Sequence, residues 1–336
     1  MSTVANVEPK IGMAKIAPIP STGLQIRCPQ CTSAVGGLVV AASAQQLLTC
    51  PLCHFHMQCV QGIWKALSPM RERYFERFVQ EYQIVRAKEG RGSHDPEYYF
   101  ALPYRDITGN NQSQWTIRAR TFQYLERKVL PFLEATHPGN MDVMDLGAGN
   151  GWLSYRLALC GHRPVAIDLL TNNTDGLGAA VHYQQELPVM FPRFQAELDH
   201  LPFADNQFDC AIFNASFHYS ANYGQTLGET IRCLRPGGTV IITDSPWYRH
   251  DESGRRMLEE RRNAFIAKFG FPSDSCASLE YLTDERLLNL VMKFGLRWQI
   301  YTPFYGIRWT LRPLNAKLRG TREPSRFRIY VSEVKK

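Results

Sequence analysis

The stretch "DVMDLGAGNGWLSYRLALCGHRPVAIDL", residues 142–169, constrains this chain more than any other. Val143, Met144 and Leu146 make a short apolar run that ends at Gly147, the pattern of a buried parallel strand. From Trp152 to Leu159 the apolar residues fit one side of a helix. Gly161 stops that helix, and residues 164–167 read as a second strand ending in Asp168. A strand–turn–helix–strand unit opens a doubly wound α/β fold, whose ligands sit beyond the carboxyl ends of the strands. Gly147, Gly149 and Gly151 give G-x-G-x-G, where dinucleotide sites have G-x-G-x-x-G. A glycine-lined turn lets a ligand approach the backbone closely, because no Cβ intervenes. Asp145 at its mouth repels phosphate and suits an amino group, and Asp168 is placed to accept hydrogen bonds from two ribose hydroxyls. The requirement is a nucleoside with a cationic, phosphate-free tail.

That chemistry belongs to S-adenosylmethionine, and over roughly residues 113–245 the sequence resembles the class I methyltransferase family. Two further stretches, in order, carry the likeness. "ELDHLPFADNQFDCAIFNASFHY" is similar to the family's adenine-contacting loop and fourth strand, and "ETIRCLRPGGTVIITD" to its helix, R-P-G-G turn and fifth strand. The resemblance implies a Rossmann-like, seven-stranded α/β domain, with "RWQIYTPF" and "RFRIYVSEV" as an antiparallel pair at one edge. It implies that Gly147, Gly149, Asn150 and Gly151 line the methionine tail, with Asp145 at its ammonium and Asp168 at the ribose. Glu197 would stand near the adenine amino group with Leu198 beside the ring, and Asn214 beneath the cofactor. The family more often has Asp where Glu197 stands, and Asp199 competes for that role. Arg118 would reach the cofactor's carboxylate.

Methyl transfer from a sulfonium is an in-line displacement with an activated leaving group. Positioning in a dry pocket supplies much of the rate, and a base is needed only where the nucleophile must lose a proton. In "NASFHYS" His218 is the candidate base and Tyr219 would orient an acceptor; the alternative is that both pack around the cofactor. Asp244, Trp247 and Tyr248 face the same region, and Tyr98, Tyr99 and Tyr104 are candidates for a lid. "NASF" lacks the proline pair that marks methylation of amino groups on nucleic-acid bases. "DNQFD" and "LRPGG" resemble most the branch that includes quinone-biosynthesis and other small-molecule methyltransferases, which implies a small-molecule or lipid-like acceptor. The alternatives are a tRNA or rRNA substrate and a non-catalytic scaffold that binds S-adenosylmethionine.

Cys28-Pro-Gln-Cys31 and Cys50-Pro-Leu-Cys53 are two C-x-x-C knuckles separated by residues 32–49. Four thiolates on two tight turns suit a structural Zn²⁺, the alternative being disulfides or a redox pair. In a segment of about forty residues the metal substitutes for a core too small to hold by itself. Residues 28–67 also resemble the small zinc-ribbon activator protein that partners tRNA, rRNA and release-factor methyltransferases. A similar cysteine cluster heads an rRNA guanine methyltransferase family. His54, His56 and Cys59 read as surface or packing residues, and Cys160, Cys210, Cys233 and Cys276 as core.

These readings divide the 336 residues into a tail (1–22), a zinc ribbon (23–67), a helix and linker (68–112) and a methyltransferase domain (113–336) with a helical insertion at about 246–295. From the third of these segments onward, residues 71–88 are spaced as a helix, "DPEYYFALPYRDITGNNQSQW" reads as loop, and residues 115–133 form the helix leading into the first strand of the domain. The formal charge of +7 is uneven. Residues 297–336 hold ten basic side chains against Glu323 and Glu333, a net of +8 that leaves about −1 for the rest. A solvated face is the plain reading of that run, and an anionic partner such as RNA the sharper one. No apolar run approaches the ~18 residues of a membrane span, and residues 1–22 lack a signal-peptide core, so the expected compartment is cytoplasmic. Nothing in the residues sets the oligomeric state.

Overall fold

The computed structural model describes residues 23–38, 46–137 and 139–335; the tail expected over residues 1–22 lies outside them. Strands β1 (Leu24–Arg27) and β2 (Ala34–Leu38) pair with each other. Strands β3 (Leu47–Thr49), β4 (His56–Val60) and β5 (Ile63–Lys65) follow as an antiparallel run. Then come β6 (Asp142–Leu146), β7 (Arg163–Asp168), β8 (Arg193–Gln195), β9 (Phe208–Asn214) and β10 (Leu234–Thr243), all parallel. The last two, β11 (Gln299–Tyr301) and β12 (Ile329–Glu333), are antiparallel to each other, and β12 is antiparallel to β10.

The order across one ten-stranded sheet is β11-β12-β10-β9-β6-β7-β8-β5-β4-β3. Strands β6 to β12 are the seven expected, with the antiparallel pair at one edge. Cys210, Ala211, Ile212 and Phe213 of β9 are fully buried, as a parallel strand covered on both faces requires. From β6 the chain adds β7 and β8 on one side, then returns to add β9 and β10 on the other. A crevice opens at the carboxyl ends where the direction reverses.

The cysteine-bearing segment is built into this sheet. Ile63, Trp64 and Lys65 of β5 pair in parallel with Arg193, Phe194 and Gln195 of β8. Ile26, Met57 and Trp64 share one buried cluster with Phe194, Phe203 and Phe208. Apolar burial therefore joins the segment to the rest at roughly 25 cal/mol per Å² of covered surface.

Helix α1 (Pro69–Lys88) starts where Ser68 accepts a hydrogen bond from the Arg71 amide and Pro69 fills the first turn. The segment read as loop holds a second helix, α2 (Pro96–Ala101). Asp95 caps it through the Glu97 amide at 3.0 Å, and Pro96 presets its first turn. Its Tyr98 and Tyr99 are buried, and the Tyr99 hydroxyl donates to the Ser93 and Thr174 carbonyls. The expected lid residues Tyr98 and Tyr99 are thus core. Helix α3 (Gln112–Tyr124) continues through a π-turn, residues 125–129, into α4 (Leu130–Thr136). Pro131, which cannot donate, sits at the restart, and the wider turn accommodates it. Helices α5 (Trp152–Leu159) and α6 (Tyr223–Cys233) pack on the parallel strands. Helices α7 (Asp251–Phe269) and α8 (Asp284–Phe294) lie in the chain between β10 and β11. Of the four single cysteines, Cys210 and Cys233 are core, Cys276 is half-buried and Cys160, just past α5, is exposed.

Candidate functional site

The turn after β6 is held by the next strand: the amides of Gly147 and Ala148 both donate to the Ile167 carbonyl, at 2.8 and 2.9 Å. Gly147, Gly149 and Gly151 have φ of +78°, +56° and +76°, where a side chain is strained. At Gly147 a Cβ would also stand 2.3 Å from that of Ser216. This packing leaves an open cleft of about 920 Å³, mouth included, over the carboxyl ends of β6, β7 and β9.

Asp145, Gly147, Gly149, Asn150, Asp168, Leu198, Asn214 and Tyr219 all line that cleft. Asp145 is almost fully buried. Its Oδ2 accepts from the Ser154 amide (3.1 Å) and hydroxyl (2.8 Å), while Oδ1 has no partner. Burial, partly offset by Ser154 and reinforced by the nearby Asp168, pushes its pKa up to about 7. A buried carboxylate oxygen without a donor is costly, and a cationic ligand would relieve it. Asp168 accepts from the Leu170 amide through Oδ1 (2.8 Å) and the Gly149 amide through Oδ2 (2.7 Å). Each oxygen keeps a further lone pair for a hydroxyl donor. Asn214 accepts from the Thr243 hydroxyl at 3.2 Å. Gly151 caps α5 behind the cleft, its Cα facing Ala180 and Phe191.

Three expectations are displaced. Glu197 is turned into a neighbouring cleft, where both its oxygens are held by Arg71 of α1 at 2.5–2.9 Å. Asp199 accepts from the Thr226 hydroxyl in the same cleft. The strip that reaches the main cleft from this loop is Ala196 and Leu198. His218 does not line the cleft: it is buried 3.4 Å from the Ser245 hydroxyl, and burial lowers its pKa to about 4. A neutral, weakly basic imidazole behind the wall is a poor proton acceptor for a substrate in the cleft. Asp244, Trp247 and Tyr248 are also buried away from it. Asp244 accepts from the Thr121 hydroxyl at 2.6 Å and leaves Oδ2 unpaired; burial raises its pKa to about 6.

The second wall was not read from the sequence as part of a site. Phe78, Tyr82 and Arg86 of α1, each four residues from the last, line the cleft opposite the glycine turn. Arg86 is clamped to Asp175, with Nη2 donating to Oδ1 at 2.9 Å and Nε to Oδ2. Tyr82 meets Tyr219 edge-on, with ring centres 6.0 Å apart. From α3, Trp115 and Arg118 close the end. The Arg118 guanidinium lies over the Trp115 ring, is repelled by Arg91 and Arg86, and feels the attraction of Asp244. The four-residue spacing 78–82–86 is visible in the sequence; Asp175, nearly ninety positions from its partner Arg86, carries no local signal.

At the other end of the chain, the four knuckle sulfurs lie within 4.8 Å of one another. Cys28–Cys53 and Cys31–Cys50 are each 3.5 Å apart, far beyond the ~2.05 Å of a disulfide. A tetrahedron with Zn–S bonds of ~2.3 Å has edges of ~3.8 Å, which these separations fit. The two knuckles repeat one geometry. Thr32 and His54 take left-handed φ of 64° and 60°, and their amides donate to the carbonyls of Cys28 and Cys50. His54 and His56 are exposed, and His56 pairs with Thr49 instead.

Residues 144–242 match the family model described as a methyltransferase domain, so the chain carries that domain across the cleft-forming strands. A malonyl-[acyl-carrier protein] O-methyltransferase of Buchnera aphidicola subsp. Baizongia pistaciae is 26% identical over 159 residues, 45% of this chain and 59% of that protein. The ubiquinone/menaquinone biosynthesis C-methyltransferase UbiE of Blochmanniella floridana is 32% identical over 105 residues, 30% of this chain and 41% of that protein. The chain thus spans about half the length of these curated relatives. Among solved structures, 1,6-didemethyltoxoflavin-N1-methyltransferase of Burkholderia thailandensis, with S-adenosylhomocysteine bound, has a TM-score of 0.42 and 18% identity, covering 73% of this chain and 92% of that one.

Proposed function

We propose that this protein transfers a methyl group from S-adenosylmethionine to a small or lipid-like acceptor held between the glycine turn and α1. The observation that carries the reading is the unpaired buried oxygen of Asp145 beside a glycine turn, facing the same cleft as Asp168. One cationic nucleoside satisfies both groups: the ammonium meets Asp145, and the ribose hydroxyls donate to Asp168. Gly147, Gly149 and Asn150 let the tail lie against the backbone, Leu198 covers the adenine, and Arg118 takes the carboxylate. Ala196 and Leu198, rather than Glu197, carry the adenine contact in this arrangement, since Glu197 is engaged by Arg71.

Bound S-adenosylmethionine supplies a methyl group already activated on a sulfonium. Phe78, Tyr82, Trp115 and Tyr219 exclude water around the acceptor and fix its approach, so positioning does most of the work. Tyr219 orients the acceptor; no general base is assigned. Cys28, Cys31, Cys50 and Cys53 hold one Zn²⁺ that stiffens the segment leading into α1. The named activities of the relatives, on a malonyl-[acyl-carrier protein] and in quinone biosynthesis, agree with an acceptor that is small or carried on a long chain. The RNA alternative loses support because Arg322 and Arg326 are spent on Glu260 and Glu323.

The test uses purified protein, methyl-labelled S-adenosylmethionine and cell extract split into RNA, protein, lipid and small-molecule fractions. Label in the solvent-extractable or small-molecule fraction is expected. Label in RNase-sensitive material overturns the acceptor class, and cofactor binding without any transfer overturns the enzymatic reading in favour of a scaffold.

A further inference from the structure

Strand β11 ends and β12 begins at the same edge of the sheet as the cleft, since Tyr301 pairs with Ile329 and β11 runs parallel to β10 through β12. The connection between them, residues 302–328, therefore rises from the cleft-bearing end. It contains two short helices, α9 (Ile307–Thr310) and α10 (Arg312–Leu318), joined at Leu311, which is itself in helical conformation. Tyr305, Trp309 and Arg312 fasten this unit to the body. The Tyr305 hydroxyl bonds Thr121 of α3 at 2.8 Å, Trp309 stacks on Phe327, and the Arg312 guanidinium lies 3.9 Å over Trp309.

The opposite face is apolar and bare. Ile307, Leu311, Leu314 and Leu318 fall within about 60° of one another at 3.6 residues per turn. They are 71%, 45%, 54% and 77% exposed, and Phe304 beside them is 68% exposed. Residues 304–321 hold basic side chains and no acidic residue: Arg308, Lys317 and Arg319 flank the stripe, while Arg312 lies over Trp309 and Arg322, the next charge along, pairs with Glu260. Arg308, Lys317 and Arg319 are exposed.

We infer that this face docks on an anionic lipid surface, with the leucines in the headgroup–acyl boundary and the basic side chains among the headgroups. An apolar stripe flanked by Lys and Arg on a helix lying flat is the pattern of interfacial binding. Nucleic acid accounts for the charge but gives no use to four exposed aliphatic side chains. Because the connection rises from the carboxyl end of the sheet, docking there brings the cleft-bearing end near the membrane. The inference does not depend on the acceptor, because adsorption needs neither cofactor nor substrate.

The test is co-sedimentation of the full chain with phosphatidylcholine vesicles and with mixed phosphatidylcholine–phosphatidylglycerol vesicles. Binding is expected only to the mixed vesicles and should weaken with salt. Each basic residue at such a surface is worth about a fivefold change in affinity, so Arg308→Glu with Lys317→Glu should weaken it by at least roughly thirtyfold. Leu314→Glu with Leu318→Glu should abolish it, with S-adenosylmethionine affinity unchanged as the control for folding. No binding to the mixed vesicles, or binding untouched by the leucine changes, overturns the proposal. So does a dimer that the leucine changes dissociate, which gives the stripe to a second copy, or RNA binding in place of vesicle binding.

Discussion

The cleft has two walls made by different means. The wall around Gly147 is backbone: strand ends, three left-handed glycines and two carboxylates fixed by amides. The wall on α1 is side chain: Phe78, Tyr82 and the Arg86–Asp175 pair, carried by a helix that starts four residues after the cysteine-bearing sheet. Backbone geometry depends on a compact run of residue types, so a motif reports it. A side-chain wall depends on where a distant helix lands. The first suits a ligand of fixed chemistry, and the second suits one that differs between relatives.

The largest effect that would sharpen this contrast starts outside the cleft. Cys28→Ser with Cys53→Ser should take the metal content from about one zinc per chain to none by elemental analysis, forfeiting a binding energy of about 10 kcal/mol or more. If α1 is held by the ribbon, its amides should lose hydrogen-exchange protection while those of β6 and α5 keep theirs. Equal loss at both walls would break the comparison. Next, Arg86→Ala strands Asp175 in a buried site and should cost about 3–5 kcal/mol in denaturant unfolding.

Asp168→Ala should raise the dissociation constant for S-adenosylmethionine about a hundredfold by calorimetry, the loss of two hydrogen bonds to a carboxylate. Unchanged affinity would remove the cofactor reading. Affinity should also depend on pH. With the Asp145 carboxyl raised to about 7, the ligand-free protein is mostly protonated there below pH 7, and a cationic ligand needs the carboxylate. The constant should tighten about tenfold from pH 6 to pH 8, and Asp145→Asn should flatten that rise. The sign for stability is opposite: the unfolded chain releases this proton near pH 4, so the ligand-free fold loses stability as pH rises from about 4 to 7. Smallest of all, Phe78→Ala should raise the acceptor KM several-fold and leave the cofactor constant within about twofold.

Sequence reading went furthest where spacing alone determines geometry. The glycine turn and the clustering of four cysteines are consequences of short-range pattern; the seven strands and their edge pair follow from the resemblance to the methyltransferase family, and the fold repeats all of these. It went wrong where partners are remote. Glu197 sits at a motif position, yet Arg71, far away on α1, holds it out of the cleft. His218 follows a strand end as an active-site residue would, but the chain turns Tyr219 to the cleft and packs the imidazole behind it. Tyr98 and Tyr99 are lid candidates in a stretch that reads as loop. Asp95 and Pro96 instead start a helix there, and the rings fall inward.

The pairing of β5 with β8 also sets a schedule. Ile63 waits for Arg193, about 130 residues further along, and at ribosomal rates of about 5–20 residues per second that is a delay of roughly 6–26 seconds. Until then Ile63 and Trp64, both buried in the finished protein, lack their cover from β8 and have only local neighbours such as β4 beside them, so a metal held by the four cysteines would help to keep this early scaffold together. Starving a cell of zinc during synthesis should therefore harm this protein more than withdrawing zinc once it has folded.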